Sequence, residues 1–228
     1  MLSIRAVGNY LKRWGFTPQK PVRRFNEQRS LEVRVRLAET CPAIVTAAKA
    51  AGGEIHWGDE TAVVNTDVRG RGYSLKGKTP VAYTVGGNRE KLSMISTVTN
   101  QGKTRWMIID DAFNADRLIE FMEALIKDSE HKIFLILDNL RVHHCKPVKE
   151  WLEGKSATIE IHYLPSYSPE LNPDERLNAD LKHAIGTMVP VRTKAKLKAA
   201  AEAHMKYLDC NPERVRRFFG DELVQYAS

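Results

Sequence analysis

The sequence predicts an α/β fold, a mixed β-sheet flanked by helices, and three patterns lead to this prediction. Residues 54–60, 92–99 and 105–110 are short strand-like segments, the last two joined by a turn. Residues 132–137 form an uninterrupted apolar run, which is typical of a strand buried on both faces. Helix-like spacing of apolar residues separates these segments. The resulting order is β-β-β-α-β-α-β-α, which places the helices on the faces of the sheet.

The remaining elements follow from local patterns. Asn114 begins a helix, residues 146–152 are helical and residues 159–163 are extended, while residues 81–85 give a further extended segment. Residues 173–185 are predicted to form the last helix of this region. The inner faces of the two longer helices carry Leu118, Phe121, Met122 and Leu125 in the first, and Leu177, Leu181 and Ile185 in the second.

Two helices are expected before the sheet. Residues 3–16 form a lone helix that ends at Gly15, which suggests the last helix of a domain whose earlier part is missing. A second helical stretch, residues 31–51, ends at a glycine pair. We therefore divide the chain into residues 1–52, a helical region with a basic linker, residues 53–190, the main domain, and residues 191–228, a basic helical extension.

Length and composition restrict the class of protein. With 228 residues, 43% of them hydrophobic and 28% charged, the chain suits one well-buried globular domain plus an appendage. It has no apolar run near the roughly 18–20 residues of a membrane span and no signal peptide, which predicts a cytoplasmic protein. Cys41, Cys145 and Cys210 are far apart, so neither a zinc site nor a disulfide framework is indicated.

Positive charge is concentrated at the two ends of the chain. Residues 1–37 carry nine Lys or Arg and two acidic residues, a net charge of +7 that equals that of the whole chain. Residues 191–228 carry eight basic and five acidic residues, which leaves a net charge of −3 for the centre. This distribution suits ends that hold a phosphate backbone and a centre that binds cations. A solubilising surface is an equally good interpretation.

Three acidic residues stand near the ends of predicted elements. Asp59 lies in WGDE and Asp138 follows IFLIL. Glu175 lies one turn into the helix that follows Asn172-Pro173. If the first strand and the IFLIL strand are neighbours, Asp59 and Asp138 converge, and Glu175 approaches from a helix across the sheet edge. Carboxylates are hard oxygen ligands that favour Mg²⁺, with Mn²⁺ as a substitute. Two ions roughly 3.5–4 Å apart would suit an in-line phosphoryl transfer.

Other interpretations of the acidic residues stay open. Glu175 also fits the return half of a capping box behind Asn172. Asp110 and Asp111 follow an apolar strand and compete with Asp138, although a turn before the helix at Asn114 is the favoured interpretation. Glu60 is expected to point away from Asp59, as a surface residue or one that lies behind the ligands.

The blocks WGDE, LDNLRVHH and YLPSYSPELNPDERLNADLK resemble the three catalytic blocks of IS630-type transposases, in the IS630/Tc1/mariner superfamily. The opening VGNYLKRWGFTPQKP is similar to the end of the helix-turn-helix domain that precedes catalysis in that family. The likeness implies an RNase H-like fold in which Asp59, Asp138 and Glu175 are the DDE triad and hold two Mg²⁺ ions. It also implies that residues 1–52 are a remnant of the helix-turn-helix domain, most of which is expected to be absent.

The same resemblance implies the partners. Double-stranded DNA would be bound as transposon ends and as target, with insertion at TA dinucleotides and a homodimer in the synaptic complex, and the protein would be associated with the nucleoid. Asn139 and His143 are predicted to lie behind the ligands or to contact substrate, with His143 favoured over His144. The predicted DNA contacts are Arg13, Lys20, Arg23, Arg24, Arg69, Arg71, Lys76 and Lys78.

Two other functions are weighed against transposition. One is a DNA-binding or regulatory remnant that does not transpose by itself. The other is an RNase H-like nuclease that uses the same metals.

Overall fold

The fold is built on one five-stranded mixed sheet. A computed structural model of the protein describes residues 3–17, 26, 28–65, 75, 77–79, 81, 89–187 and 193–228. The strands are β1 (Glu54–Val64), β2 (Lys91–Val98), β3 (Thr104–Ile109), β4 (Ile133–Leu137) and β5 (Ile159–Tyr163). Their spatial order is β3-β2-β1-β4-β5; the pairs β1–β2 and β2–β3 are antiparallel, and β1–β4 and β4–β5 are parallel. The predicted mixed sheet is confirmed.

Helices cover both faces of this sheet. The α-helices of the described residues are α1 (Ile4–Arg13), α2 (Ser30–Val35), α3 (Cys41–Ala51), α4 (Ala115–Lys127), α5 (Lys146–Leu152), α6 (Asp174–Thr187), α7 (Lys194–Asp209) and α8 (Pro212–Arg216). Of these, α3, α6 and α7 pack on one face and α4 and α5 on the other, whereas α1 has no buried residue. A π-helical turn, Arg36–Thr40, joins α2 to α3, so the predicted helix over residues 31–51 is confirmed. It ends where Gly52 adopts a left-handed conformation, with φ of 60°. In the described part of the chain, no helix is long and apolar enough to cross a membrane.

Two hydrophobic cores lie on opposite faces of the sheet, and β4 contributes to both. Phe134 and Ile136 point into the core formed with α3, α6 and α7, whereas Ile133, Leu135 and Leu137 point into the core formed with α4 and α5. All five residues of β4 are at most 1% exposed. The uninterrupted apolar run is therefore explained by burial on both faces, as predicted.

One strand is longer than the sequence predicts, and one predicted segment lies almost entirely outside the described residues. β1 continues past residue 60 to Val64 because its last four residues pair with the first half of β2, where Thr61 lies opposite Met94 and Val64 opposite Lys91. The predicted extended segment 81–85 lies outside the described residues except for Val81, which is not in a strand. Residues 66–74, which precede it, also lie outside them.

Gly58 sits in the middle of β1, where neighbouring atoms leave no room for a side chain. A Cβ at this position would lie 2.9 Å from Leu137 Cδ2, 3.0 Å from Thr97 Cγ2 and 3.1 Å from the Ser96 carbonyl oxygen. The next residue is Asp59. Close packing around Gly58 therefore sets the position of the strand that carries this carboxylate.

We expect Gly58→Ala to lower the free energy of unfolding by about 1–3 kcal/mol, the usual cost of overpacking. Denaturant unfolding followed by circular dichroism measures this change. Gly8→Ala is the matched control, because a Cβ at Gly8 meets no atom within 4 Å. Equal stability of the Gly58→Ala variant and the unmodified protein would contradict the packing argument.

Candidate metal centre

Strand pairing brings the first two acids together. In the parallel pair of β1 and β4, Trp57 lies opposite Ile136, so Asp59 and Asp138, each two residues further along, leave adjacent chains at the same level of the sheet. Both line one cleft of about 410 Å³, which Glu175 also lines. The structure thus places the three acids of the predicted triad around a common space.

Glu175 reaches the cleft because Asn172 fixes the start of α6 onto β1. The Asn172 side-chain amide donates to the Gly58 carbonyl oxygen at 2.9 Å, and its Oδ1 accepts from the Asp174 amide at 3.1 Å. The capping-box alternative required the Glu175 carboxylate to accept from the Asn172 amide. No such bond occurs among the described residues, and the Glu175 side chain faces the cleft instead.

Asp59 is a half-buried carboxylate that accepts a hydrogen bond from a neutral donor. Asn178 donates to Asp59 Oδ2 at 2.9 Å. Burial raises the pKa of Asp59 well above its ordinary value, and the nearby charges of Asp174, Glu175 and other acids raise it further. A cation in the cleft would stabilise the ionised form of Asp59 and so oppose this rise in its pKa.

Asp138 has the same character in a more open position. Burial raises its pKa to about 6, and the charge of Glu60 adds to this shift, whereas His143 opposes it. The side chain is 36% exposed, and the Leu140 amide donates to its Oδ1 at 3.3 Å. Asp138 therefore combines access to the cleft with an environment short of positive charge.

His143 links Asp138 to Glu60. Its Nε2 lies 2.8 Å from Glu60 Oε1, and its Nδ1 lies 3.0 Å from the Asp138 carbonyl oxygen and 3.3 Å from Asp138 Oδ1. Burial lowers the pKa of His143, but the hydrogen bond and charge of Glu60, with a contribution from Asp138, outweigh it and leave the pKa above its ordinary value. The His143 side chain is fully buried. This position supports a role behind the ligands.

Glu60 is not at the surface. It points to the opposite face of β1 from Asp59, as expected, but its side chain is only 12% exposed. Ligand atoms of Glu60, Asp138 and His143 all lie within 4.8 Å of one another, so among the described residues these three, rather than the predicted triad, form the compact candidate metal-binding group. The sequence pattern showed that Glu60 and Asp59 lie on different faces, but not that a buried histidine lies beside Glu60.

Asn139 and His144 lie at the rim. The Asn139 amide donates to Ser166 Oγ at 2.9 Å, and its Oδ1 lies within hydrogen-bonding distance of His144 Nε2. The His144 ring packs against Tyr163, with 4.1 Å between ring centroids. Asn139 lines the cleft. Its hydrogen bond to Ser166 joins the segment after β4 to the loop that leads to α6.

The competing acids lie elsewhere. Asp110 follows β3, an edge strand two positions away from β1, and its Oδ2 accepts from Lys198 at 3.0 Å. Asp111 accepts two hydrogen bonds from Arg117, at 3.1 and 3.0 Å. Neither residue lines the cleft. The preferred interpretation, a turn before the helix at Asn114, agrees with this arrangement, since Asn114 Oδ1 caps α4.

Asp174 is a further acidic residue beside the cleft acids, and the sequence blocks did not single it out. Its side chain is fully buried, its Oδ2 accepts from Ser96 Oγ at 2.9 Å, and burial raises its pKa well above the ordinary value. Ser96 lies opposite Asp59 in the β1–β2 pair. A signal was present: Asp174 and Asn178 share the helical face of Leu177 and Leu181, so polar residues stand within a predicted inner stripe.

Few of the predicted DNA-contacting residues can be placed. Arg13, near the end of α1, and Lys78 are exposed. The others lie outside the described residues: Lys20, Arg23, Arg24, Arg69, Arg71 and Lys76.

The donor set fits a hard divalent cation. Among the described residues, buried oxygen atoms of Glu60 (Oε2), Asp174 (Oδ1) and Asn178 (Oδ1) have no hydrogen-bond partner. The raised pKa values of Asp59 and Asp138 indicate the same shortage of positive charge. Carboxylate and amide oxygens are ligands that Mg²⁺ and Mn²⁺ accept. An acidic cleft of this kind on a mixed sheet defines a class, the metal-dependent enzymes of phosphoryl transfer.

Comparison with known proteins identifies the family. The profile of the DDE superfamily endonuclease matches residues 54–198, and a winged helix-turn helix profile matches residues 1–40. The chain therefore belongs to the DDE superfamily endonuclease family. This family agrees with the DDE-type catalytic domain that the sequence blocks predicted. No curated protein matches the sequence significantly.

Solved structures support the fold. The chain is similar to the Mos1 mariner paired end complex with Mn, with 20% identity over 100% of this chain and 72% of that chain and a TM-score of 0.64. The chain is also similar to the Mos1 strand transfer complex, with 20% identity over 98% of this chain and 70% of that chain and a TM-score of 0.60. The catalytic domain of Mos1 mariner transposase is 16% identical over 92% of this chain and 98% of that chain, with a TM-score of 0.56. The predicted RNase H-like fold is thereby confirmed.

We expect the stability of the metal-free protein to depend on Asp138. The pKa of Asp138 is about 6 in the folded protein, above its ordinary value of 3.8. The stability that the protonated carboxyl group contributes to the folded state is therefore fully present below pH 3.8 and is lost as pH rises through about 6. In EDTA at about pH 8, Asp138→Asn should be more stable by about 1 kcal/mol after allowance for solvent screening, or about 2–4 °C in Tm.

The control for this measurement is Asp110→Asn. The hydrogen bond and charge of Lys198 lower the pKa of Asp110, so its removal should give no gain in Tm at the same pH. If Tm rises in both variants, or in neither, the environment of Asp138 does not destabilise the metal-free protein in the way proposed.

His143→Gln should weaken Mn²⁺ binding about 10- to 100-fold, the usual effect of changing a residue that orients a ligand. Isothermal titration with Mn²⁺ measures the affinity directly. His183→Gln, an exposed change on α6, is the control. Unchanged Mn²⁺ affinity in a folded His143→Gln protein would exclude a role for the Glu60–His143–Asp138 chain in metal binding.

Proposed function

We propose that Asp59, Asp138 and Glu175 hold two divalent cations, Mg²⁺ with Mn²⁺ as a substitute, and use them to cleave DNA at the ends of an insertion sequence and transfer the strand to a target. The observation that carries this proposal is the shared cleft. Three carboxylates separated by 79 and 37 positions in the chain line the same space of about 410 Å³. The family and the fold agree with this chemistry.

The protein's own residues supply position and charge. Asn178 orients Asp59, His143 orients Asp138, and Asn172 holds the first turn of α6, which carries Glu175, against β1. When bound, the cations supply the positive charge that activates an attacking oxygen and stabilises a leaving oxygen. Water would attack first, and the freed 3′ hydroxyl would attack the target DNA at the same site. Rigid placement of the ligands lowers the barrier because little reorganisation is needed during reaction.

Double-stranded DNA is the proposed partner. The similar Mos1 structures are a paired end complex, a pre-cleavage transpososome and a strand transfer complex. We propose that this chain likewise binds transposon ends and target as a homodimer, inserting at TA dinucleotides. The positive charge of residues 1–37, a net +7, supports contact with phosphate by that region. Arg13, in α1, and Lys78, after β1, are both exposed, so each could contact the phosphate backbone of DNA.

The division of labour along the chain is also a proposal. Residues 1–52 would contribute DNA recognition as part of a helix-turn-helix region, residues 53–190 would carry the chemistry, and residues 191–228 would add a basic extension. The winged helix-turn helix profile over residues 1–40 and the endonuclease profile over residues 54–198 support the first two parts. In the third part, α7 packs on the sheet through Leu197, Ala201, Met205 and Leu208.

Asp59→Asn, Asp138→Asn and Glu175→Gln should each abolish cleavage while leaving DNA affinity nearly unchanged, because each removes a ligand charge and preserves shape. Cleavage is measured on duplex DNA carrying the inverted repeats that flank the gene, with Mg²⁺ or Mn²⁺, and affinity by fluorescence anisotropy with Ca²⁺. Asp110→Asn is the matched control and should cleave like the unmodified protein. Cleavage retained by any of the three variants would overturn its assignment.

The same assay separates the alternatives. An unmodified protein that binds the repeats with high affinity but never cleaves them would favour a regulatory remnant. Cleavage of an RNA–DNA hybrid in preference to the repeats would favour an RNase H-like nuclease.

A further inference from the structure

The loop of residues 164–172, here called the cleft loop, joins β5 to α6 and contains an unusual backbone conformation. Among the described residues, Tyr167 is the non-glycine residue with positive φ, 58°. A bulky side chain rarely adopts this left-handed conformation, because its Cβ crowds the neighbouring carbonyl group. Such outliers persist where the surroundings fix the backbone, and they cluster at active sites and ligand clamps.

The surroundings do fix the cleft loop before Tyr167. The Leu164 amide donates to the Leu137 carbonyl oxygen at 2.8 Å, which continues the pairing of β4 with β5. Asn139 donates to Ser166 Oγ at 2.9 Å. The near side of the loop is thus attached both to the end of β4 and to the residue that follows Asp138.

The far side of the loop is attached as well. Gln28, at the start of the segment that leads into α2, donates to Ser168 Oγ at 3.0 Å and to Glu170 Oε1 at 2.5 Å. The Tyr226 hydroxyl donates to the Leu171 carbonyl oxygen at 2.7 Å. Asn172 is bonded to Gly58, as described above. Contacts from both ends of the chain and from β1 therefore hold the loop after Tyr167.

These contacts bury the loop around Tyr167 but leave its side chain exposed. Leu164 is 2% exposed, Ser168 3% and Leu171 4%, whereas Tyr167 is 55% exposed. Tyr167 lines the same cleft as Asp59, Asp138 and Glu175. The fold thus holds a large aromatic ring in a strained backbone position, partly in solvent, beside the acidic residues.

The chemistry of the ring selects its ligand. A phosphodiester that reaches the three carboxylates is flanked by nucleotides, and a base that is unpaired there offers an aromatic face. Stacking of a base on an aromatic side chain is favourable and tolerates any base. Enzymes that do chemistry on a base flip it out of the duplex and hold it between aromatic or apolar side chains, so a protein can keep a nucleotide unpaired at its active site.

We propose that Tyr167 stacks on an unpaired nucleobase next to the scissile phosphodiester and so positions the DNA strand over the acidic residues. This inference rests on the proposed function, since it requires a DNA strand in the cleft. It assigns Tyr167 as a substrate-binding residue. The bound strand is single-stranded at that nucleotide.

The test uses a DNA duplex with a three-nucleotide 3′ overhang that carries 2-aminopurine at the overhang's first nucleotide, with Ca²⁺ to allow binding without cleavage. Stacking of 2-aminopurine on Tyr167 should quench its emission. Tyr167→Phe should retain the quench, because the ring is kept. Tyr167→Ala should lose it and bind the overhang roughly 5- to 100-fold more weakly, the range typical of one base stacked on an aromatic ring.

Tyr167→Asn separates the ring from the backbone. Asparagine tolerates the left-handed conformation but has no aromatic face, so this variant should keep the thermal unfolding temperature and lose the quench. A duplex with 2-aminopurine in its paired interior should bind all four proteins with the same emission. Equal quenching and equal overhang affinity in the unmodified protein, Tyr167→Ala and Tyr167→Asn would overturn the inference.

The result is distinguishable from failure of the proposed function. Asp59→Asn should still quench the overhang probe although it cannot cleave. If the unmodified protein cleaves the repeats and Tyr167→Asn does so with the same KM and kcat, Tyr167 does not position the strand. If the unmodified protein quenches the probe but never cleaves with Mn²⁺, the proposed function fails and the stacking site stands.

Discussion

The parallel pairing of β1 with β4 is the constraint on which the site depends. Because Trp57 lies opposite Ile136, the pairing sets Asp59 and Asp138 at the same level, one still within a strand and the other just beyond its end. The register holds because β4 is buried on both faces and Gly58 leaves no room for a shift toward Leu137. A slip of one residue would turn every side chain of β1 to the opposite face.

That constraint has an electrostatic cost. Burial raises the pKa values of Asp59, Asp138 and Asp174, and the charges of Glu60 and Glu175 raise them further. Neutral donors hold two of these acids: Asn178 donates to Asp59 and Ser96 to Asp174. The protein supplies geometry without matching charge, which leaves the compensation to bound cations.

The loop before α6 connects distant parts of the chain to this site. Gln28 reaches it from the N-terminal region, Tyr226 from the C-terminus, Asn139 from the end of β4, and Asn172 returns the contact to β1. Trp57 is buried in the core and packs edge-to-face on Tyr226, with 5.5 Å between ring centroids. Gln28 thus connects the N-terminal region to the cleft loop through Ser168 and Glu170.

The sequence by itself determined the element order, the mixed sheet and the burial of β4 on both faces, and it singled out three acidic residues that line one cleft. Each of these depends on short-range periodicity or on a local block. The sequence did not determine that Glu60 is enclosed beside His143, that Asp174 is buried against Ser96, or that Tyr167 is held in a left-handed conformation. These features depend on contacts between residues 27 to 142 positions apart, and no local pattern encodes such distances. Only the tertiary structure could decide them, since burial and the pKa shifts that follow from it are properties of the assembled sheet and its helices.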